Sequence, residues 1–129
     1  MLIALPMLAL AVTLPSDVPS WVLRGIVATE SRSYYTQTGS IVWVDHKRGH
    51  HGERGCFQIT RGAFNDVKRP GETFSMLEQD PIFCEVIACR YLARIHRGNW
   101  STTIQAYNAG LGHKSTTYLR LVRREGNKP

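Results

Sequence analysis

"DPIFCEVIACRYLARIHRGNWSTTIQAYNAG", residues 80–110, decides the fold class. Asp80 is a suitable N-cap, Pro81 suits a first helical position, and Gly98 supplies a stop, so 80–98 reads as a helix. Ile82, Val86, Cys89 and Leu92 trace one apolar stripe at helical spacing, and Phe83, Ile87 and Tyr91 widen it. Beyond Gly98, "NWSTTIQAYNAG" over 99–110 predicts a shorter helix that stops at Gly110. Two amphipathic helices joined by a short turn need further elements to cover their apolar faces.

Those elements lie on either side. "TTYLRLVRR" at 116–124 reads as the last helix. Upstream, Ser20 can cap a helix that runs through Trp21, Val22, Ile26 and Val27 to about Ser31, with Leu23 and Gly25 on its other side. Residues 32–55 change character: Gly39, Gly49, Gly52 and Gly55 surround a β-branched run, "SIVWV" at 40–44, which predicts a loop region with one hairpin. "CFQITRGAFNDV" at 56–67 reads as a short helix or a turn into one, and a polar connection with Pro70 and Gly71 follows. The N-terminal "MLIALPMLALAVTLP" is too short to span a bilayer and lacks the basic start of a secretory signal. It reads as a first helix packed on the core, with a signal remnant as the alternative, and Pro15 to Pro19 break it from the next. On that reading something else delivers the chain to any outside substrate. The sum is a mostly helical α+β fold with a small loop-and-hairpin lobe, in one domain spanning 1–129.

Composition agrees. Of 129 residues, 43% are hydrophobic and 20% charged, which fits a globular chain. The net charge of +6 favours an anionic partner: nucleic acid, a membrane surface or an acidic wall polymer. It equally serves plain solubility. Arg90, Arg94, Arg97, Lys114, Arg120, Arg123, Arg124 and Lys128 face only Glu125 after position 90. The three cysteines, Cys56, Cys84 and Cys89, are too few and too odd for a disulfide framework. They read as buried small hydrophobes, with a pairing of Cys56 left open and Cys84 and Cys89 on different helix faces. Without a Cys-x-x-Cys spacing, zinc is not expected.

Three stretches can carry chemistry: "ES" at 30–31, "GERGCFQIT" at 52–60 and "AYNAG" at 106–110. Each has a bland reading. Glu30 can be a solvated helix end, Gln58 a loop-ordering amide, Tyr107 a core aromatic and Asn108 a helix-end cap. In this order and spacing, however, the three resemble the soluble lytic transglycosylases, the peptidoglycan-cleaving branch of the lysozyme-like enzymes. "PSWVLRGIVATES" is similar to the family's helix into its catalytic glutamate. "YLARIHRGNWSTTIQAYNAG" is similar to its helix–loop–helix. The likeness spans about residues 18–122, and the first helix suits small phage and conjugation-system members.

The resemblance implies a lysozyme-like fold whose loop/hairpin lobe flanks a cleft, with Glu30 as the catalytic acid. The chemistry agrees, because a carboxyl at an apolar helix end is desolvated, which raises its pKa towards what proton delivery at neutral pH needs. Lysozyme's own acid glutamate, set in an apolar pocket, is the model for such a carboxyl. Gln58 falls on the family's glutamine and can both donate to and accept from sugar groups. Tyr107 and Asn108 match the family's tyrosine and asparagine. Tyr107 is expected to hydrogen-bond the carboxyl and Asn108 to bond the sugar's acetamido group. Gly52 and Gly55 allow tight turning near the sugar, and Phe57 and Ile59 belong to the core or cleft wall. Two positions depart from the family: Gly49 stands where it usually has serine, and Glu53 where it has alanine. Glu53 is a candidate second carboxylate, with Asp45 a weaker one; its bland alternative is a surface charge paired with Arg54 or Lys47. His46, His50 and His51 form a solvated loop cluster rather than a metal site. Tyr34, Tyr35 and Trp43 can stack on sugar rings, and Trp100 packs the helix turn.

What the resemblance implies overall is cleavage of the MurNAc–GlcNAc β-1,4 bond with 1,6-anhydro ends, without cofactor or metal. Glycan strands are the partner, an anionic wall polymer a second one, and nucleic acid, a stable membrane span and oligomers are not expected. The place of action is the periplasm or wall, reached through phage lysis, a virion or a secretion machine. The rivals are a hydrolytic muramidase using Glu30 and Glu53, and a non-catalytic module that binds wall or nucleic acid.

Overall fold

The computed structural model describes residues 17–45 and 48–129. The segment read as a first helix lies outside these residues, as do His46 and Lys47. Along the chain run α1 (Ser20–Ser31), β1 (Tyr34–Tyr35), β2 (Ile41–Val42), α2 (Arg61–Val67), a 3₁₀ turn (Phe74–Glu78), α3 (Pro81–Ile95), α4 (Trp100–Ala109) and α5 (Thr116–Gly126). The strands form one antiparallel pair with Tyr34 opposite Val42 and Tyr35 opposite Ile41. This is the mostly helical α+β arrangement with a small hairpin lobe that a lysozyme-like domain shows.

The centre is α1. Val22, Leu23, Gly25, Ile26 and Val27 are all buried, so both of its sides are covered. Ser20 is its first residue rather than its side-chain cap; Pro19 holds the cap position, and the Ser20 hydroxyl accepts a hydrogen bond from Arg24 instead. The most extensive helix contact is between α1 and α5. Two glycines make it possible. A Cβ on Gly25 would stand 2.2 Å from the Val122 carbonyl oxygen, and one on Gly126 would stand 2.0 Å from that of Trp21. The helices therefore touch backbone to backbone, and Arg24 locks the seam by donating to the Gly126 carbonyl at 2.8 Å.

Asp80 caps α3 through a bond from the Ile82 N–H, with Pro81 in the first turn. The helix ends at Ile95, before Gly98, because His96 is already extended. Its buried face is Cys84, Ile87, Ala88, Cys89, Leu92 and Ile95. The expected stripe is therefore rotated. Ile82 is 69% exposed, since the first turn overhangs the core beside the hairpin tip. Asn99 caps α4 through the Thr102 N–H, and Gly110 (φ 95) ends it. Trp100 packs this turn by stacking on His96 at 3.9 Å. The connection read as merely polar holds the 3₁₀ turn, whose Phe74 and Leu77 are buried. Phe74 packs against Phe64 of α2, with Arg54 and Arg61 over its ring.

Candidate active site

Glu30 occupies the last turn of α1, one residue from the helix end, where Arg32 turns the chain left-handed (φ 56). Its carboxyl is largely withdrawn from water, which is the main reason its pKa is pushed from the ordinary 4.5 up to about 7. The Tyr118 hydroxyl donates to its Oε2 at 2.7 Å and partly offsets that shift. The negative charge of Glu53 adds to it. At neutral pH the carboxyl is thus held near its midpoint, able to give a proton and to take one back.

Ser31, the second residue of the "ES" pair, binds the parts of the site together. It is buried, and its hydroxyl reaches the Cys56 carbonyl oxygen at 2.8 Å. Buried Ser33 lies 2.7 Å from it and accepts from the Val44 N–H, while the Ser31 carbonyl accepts from the Asp45 N–H at 3.2 Å. Three segments converge on two small hydroxyls: the end of α1, the exit of the hairpin and the turn that carries Gln58. Asp45 is therefore fixed through its backbone beside Ser31, and its carbonyl accepts from the Trp43 indole N–H.

The turn from Arg54 to Ile59 closes on itself through paired backbone bonds between those two residues. Gln58 sits in it with φ 50, a left-handed conformation that costs a non-glycine residue of order 1–3 kcal/mol. Its side-chain amide donates to the Gly55 carbonyl at 2.9 Å. Phe57 and Ile59 are core residues. Gln58, Tyr91 and Tyr107 line one small cavity of about 30 Å³.

Glu53 is half-buried, and its Oε1 accepts from the His51 N–H at 2.8 Å. No cation pairs with it among the described residues; Arg54, one expected partner, pairs with Glu78 at 2.9 Å. The departures at 49 and 53 are one exchange. A Cβ on Gly49 would stand 2.3 Å from Glu53 Oε1 and 2.6 Å from Gln58 Oε1. The Glu53 carboxylate fills the room that a side chain at 49 would take.

Tyr107 comes close enough for the Glu30 charge to act on it, but its hydroxyl donates to the Phe57 carbonyl at 2.6 Å. The expected bond from Tyr107 to the carboxyl is made by Tyr118 instead. The reason is geometric: Tyr107 is spent on fixing the Gln58 turn, while the α1–α5 seam points Tyr118 at Glu30. Tyr118 could be picked out in "TTYLRLV" only as part of an apolar stripe with Leu119 and Val122, which marks core and not chemistry. Asn108 is exposed at the end of α4, and its amide donates to Ser115 Oγ at 2.7 Å. Tyr35 is tied by its hydroxyl to Glu85 and Trp43 packs on the core, so of the three aromatics offered for sugar stacking only Tyr34 stands well exposed, at 55%. Arg90 leaves the basic surface set, because Glu72 holds it in a bidentate pair at 2.7 and 2.9 Å. His50 and His51 are exposed, and no three His, Cys, Asp or Glu among the described residues are grouped to hold a metal ion.

A glutamate at a helix end whose carboxyl is largely desolvated, beside a glutamine turn and two tyrosines, is an arrangement suited to acid–base work. The family profile described as the transglycosylase SLT domain matches residues 8–127. The chain belongs to the transglycosylase SLT domain family. Members act on cell-wall peptidoglycan as transglycosylases, which sets the substrate class of this SLT domain and puts its place of action at the wall or in the periplasm. Neither the curated proteins nor the solved structures contain a match. Among the described residues no helix of the SLT domain is long and apolar enough to cross a membrane.

Proposed function

We propose that this SLT domain cleaves the MurNAc–GlcNAc β-1,4 bond of peptidoglycan and closes a 1,6-anhydro ring on the MurNAc end, with Glu30 acting first as acid and then as base. One observation carries the reading: burial lifts the Glu30 carboxyl to about 7 while Tyr118 holds one of its oxygens. Glu30 protonates the glycosidic oxygen as the C1–O bond breaks, and the substrate's own acetamido group supports the positive centre. The carboxylate then takes the proton of the sugar's 6-hydroxyl as that oxygen bonds to C1. The carboxyl ends as it began, so no cofactor enters. Gln58 and Asn108 offer amides to the sugar, and Tyr107 holds the Gln58 turn in place. The basic face of α5 suits an anionic wall polymer. Delivery falls to a phage lysis system, a virion or a secretion machine.

A second reading has a specific observation behind it. Glu53 lacks a cation partner among the described residues and bears electrostatically on Glu30. It can therefore serve as a carboxylate that activates water, which makes the enzyme a hydrolytic muramidase. Mass spectrometry of muropeptides released from purified sacculi separates the readings. Anhydro ends support the transglycosylase, and reducing ends, heavier by one water, support the muramidase. Binding without any release sinks both in favour of a non-catalytic module.

A further inference from the structure

Cys56 lies in the turn that carries Gln58, and Cys84 in the first turns of α3; both are 0% exposed. Both are free thiols, close enough for Cys84 to raise the pKa of Cys56. Their closeness has a second, independent mark. A Cβ on Gly55, the residue just before Cys56, would come within 2.6 Å of Cys84 Sγ. The α3 thiol therefore lies directly under the turn, in room that only a glycine leaves. Cys89 is also buried, but its thiol is set beside Glu85. Nothing in the wall-cleaving site described above uses either Cys56 or Cys84 as a thiol.

We propose that Cys56 and Cys84 form a disulfide when the chain folds in an oxidising compartment, tying the Gln58 turn covalently to α3. The turn is otherwise held to its surroundings without a covalent link, by buried Phe57 and Ile59, by the Arg54–Glu78 pair and by hydrogen bonds from Ser31 to the Cys56 carbonyl and from Tyr107 to the Phe57 carbonyl. The oxidant is a disulfide, either glutathione disulfide or a protein disulfide oxidoreductase. One thiol loses its proton and its sulfur displaces half of that disulfide, giving a mixed disulfide. The second thiol loses its proton, attacks the first cysteine's sulfur and expels the other half as a thiol. The chain gives up two hydrogens, and the acceptor disulfide becomes two thiols. In the folded, reduced protein both sulfurs are sealed, and the neighbouring Cys84 thiol together with burial raises the Cys56 pKa and keeps it as the unreactive thiol. Exchange therefore takes place while the turn is still open, during folding.

The proposal is independent of wall cleavage, and its test reads covalent structure. The full chain is reduced in denaturant and refolded in a glutathione redox buffer or in reductant. Expected after the redox buffer is a monomer lighter by two hydrogens, with a single thiol open to alkylation after unfolding. Non-reducing digestion should give a peptide pair joining Cys56 to Cys84. The oxidised form should melt higher than the reduced form by roughly 5–10 °C. Three alkylated thiols, or a link that involves Cys89, overturns it. Cys89→Ser must keep the link and Cys84→Ser must lose it. If Cys84→Ser does not refold, Cys89→Ser still decides, since absence of the link there is equally fatal.

Discussion

The α1–α5 seam and the turn at 49–60 build the same site by opposite means. The seam is backbone against backbone at Gly25 and Gly126, closed by buried side chains, and it presents Glu30 with Tyr118 already bonded to it. The turn has little core of its own beyond Cys56, Phe57 and Ile59. It is shaped by a left-handed Gln58, by buried hydroxyls, and by the Arg48–Glu78 and Arg54–Glu78 pairs at its flank. Glu30 thus sits where two helices meet backbone to backbone, and Gln58 on a turn shaped by loop geometry and polar contacts. The lesson is that the raised pKa of Glu30 comes from burial, while the placement of Gln58 is set by loop geometry.

The comparison breaks first at Glu30. Glu30→Gln should lower wall-cleaving activity by about 10³-fold or more, since it removes the proton donor and acceptor together. The same change should stabilise the fold in a pH-dependent way. The folded carboxyl keeps its proton up to about 7, whereas the unfolded one gives it up near 4.5. The parent therefore loses stability as pH rises between those values, and Gln is spared that loss. The variant should match the parent below pH 4.5 and exceed it by about 3 kcal/mol above pH 7, as read by urea unfolding. An advantage over the parent that is no larger at pH 8 than at pH 4 contradicts a desolvated carboxyl. The seam itself is tested by Gly25→Ala. Its Cβ meets a carbonyl oxygen that cannot move aside without shifting α5, so a loss of about 2–3 kcal/mol is expected. A neutral result would mean the helices do not touch.

These two regions also differ in how much of them the sequence disclosed. The helices are legible because Asp80, Pro81 and Gly110 are chemical punctuation that acts locally, and the structure keeps Asp80 as a cap and Gly110 as a stop. The buried face of α3 is rotated by part of a turn from the one its apolar spacing predicts. Ile82 looks apolar to a periodicity argument, but only the tertiary layout tells that the first turn overhangs the core. The 3₁₀ turn was hidden because Phe74 and Leu77 are too few to set a period. In the site, Glu30, Gln58 and Tyr107 could be named because they lie in short, specific strings. Tyr118 and Ser33 could not, because their roles depend on long-range geometry that no local pattern encodes. The exchange between Gly49 and Glu53 showed as two unrelated departures and only became one fact in space.

The middle-sized effect belongs to Tyr118, where seam and acid meet. Tyr118→Phe keeps the ring in its packed place but removes the hydroxyl that steadies Glu30. Activity at pH 6 should fall by about tenfold, the loss expected for one positioning hydrogen bond. Because that bond lowers the Glu30 pKa, its removal should also move the alkaline limb of the pH–activity curve to higher pH. A fall in rate with the limb unmoved would show that the hydroxyl matters for folding alone.

The smallest effect sharpens the turn's side of the comparison. Glu53 raises the Glu30 pKa through its charge, the least of the three causes acting there. Glu53→Gln retains the shape that fills the room beside Gly49 and removes only the charge. Glu30 then ionises more readily, so the alkaline limb should move to lower pH by a fraction of a unit, opposite in direction to the Tyr118→Phe shift. The muropeptides should still carry anhydro ends at close to the parent rate. A rate loss of about 10²-fold or more, with reducing ends as the parent's product, makes Glu53 the water-activating carboxylate instead. The two variants act on one carboxyl, one through a hydrogen bond and one through a charge. If their limbs move in the same direction, the account of how burial, bond and charge set Glu30 is wrong.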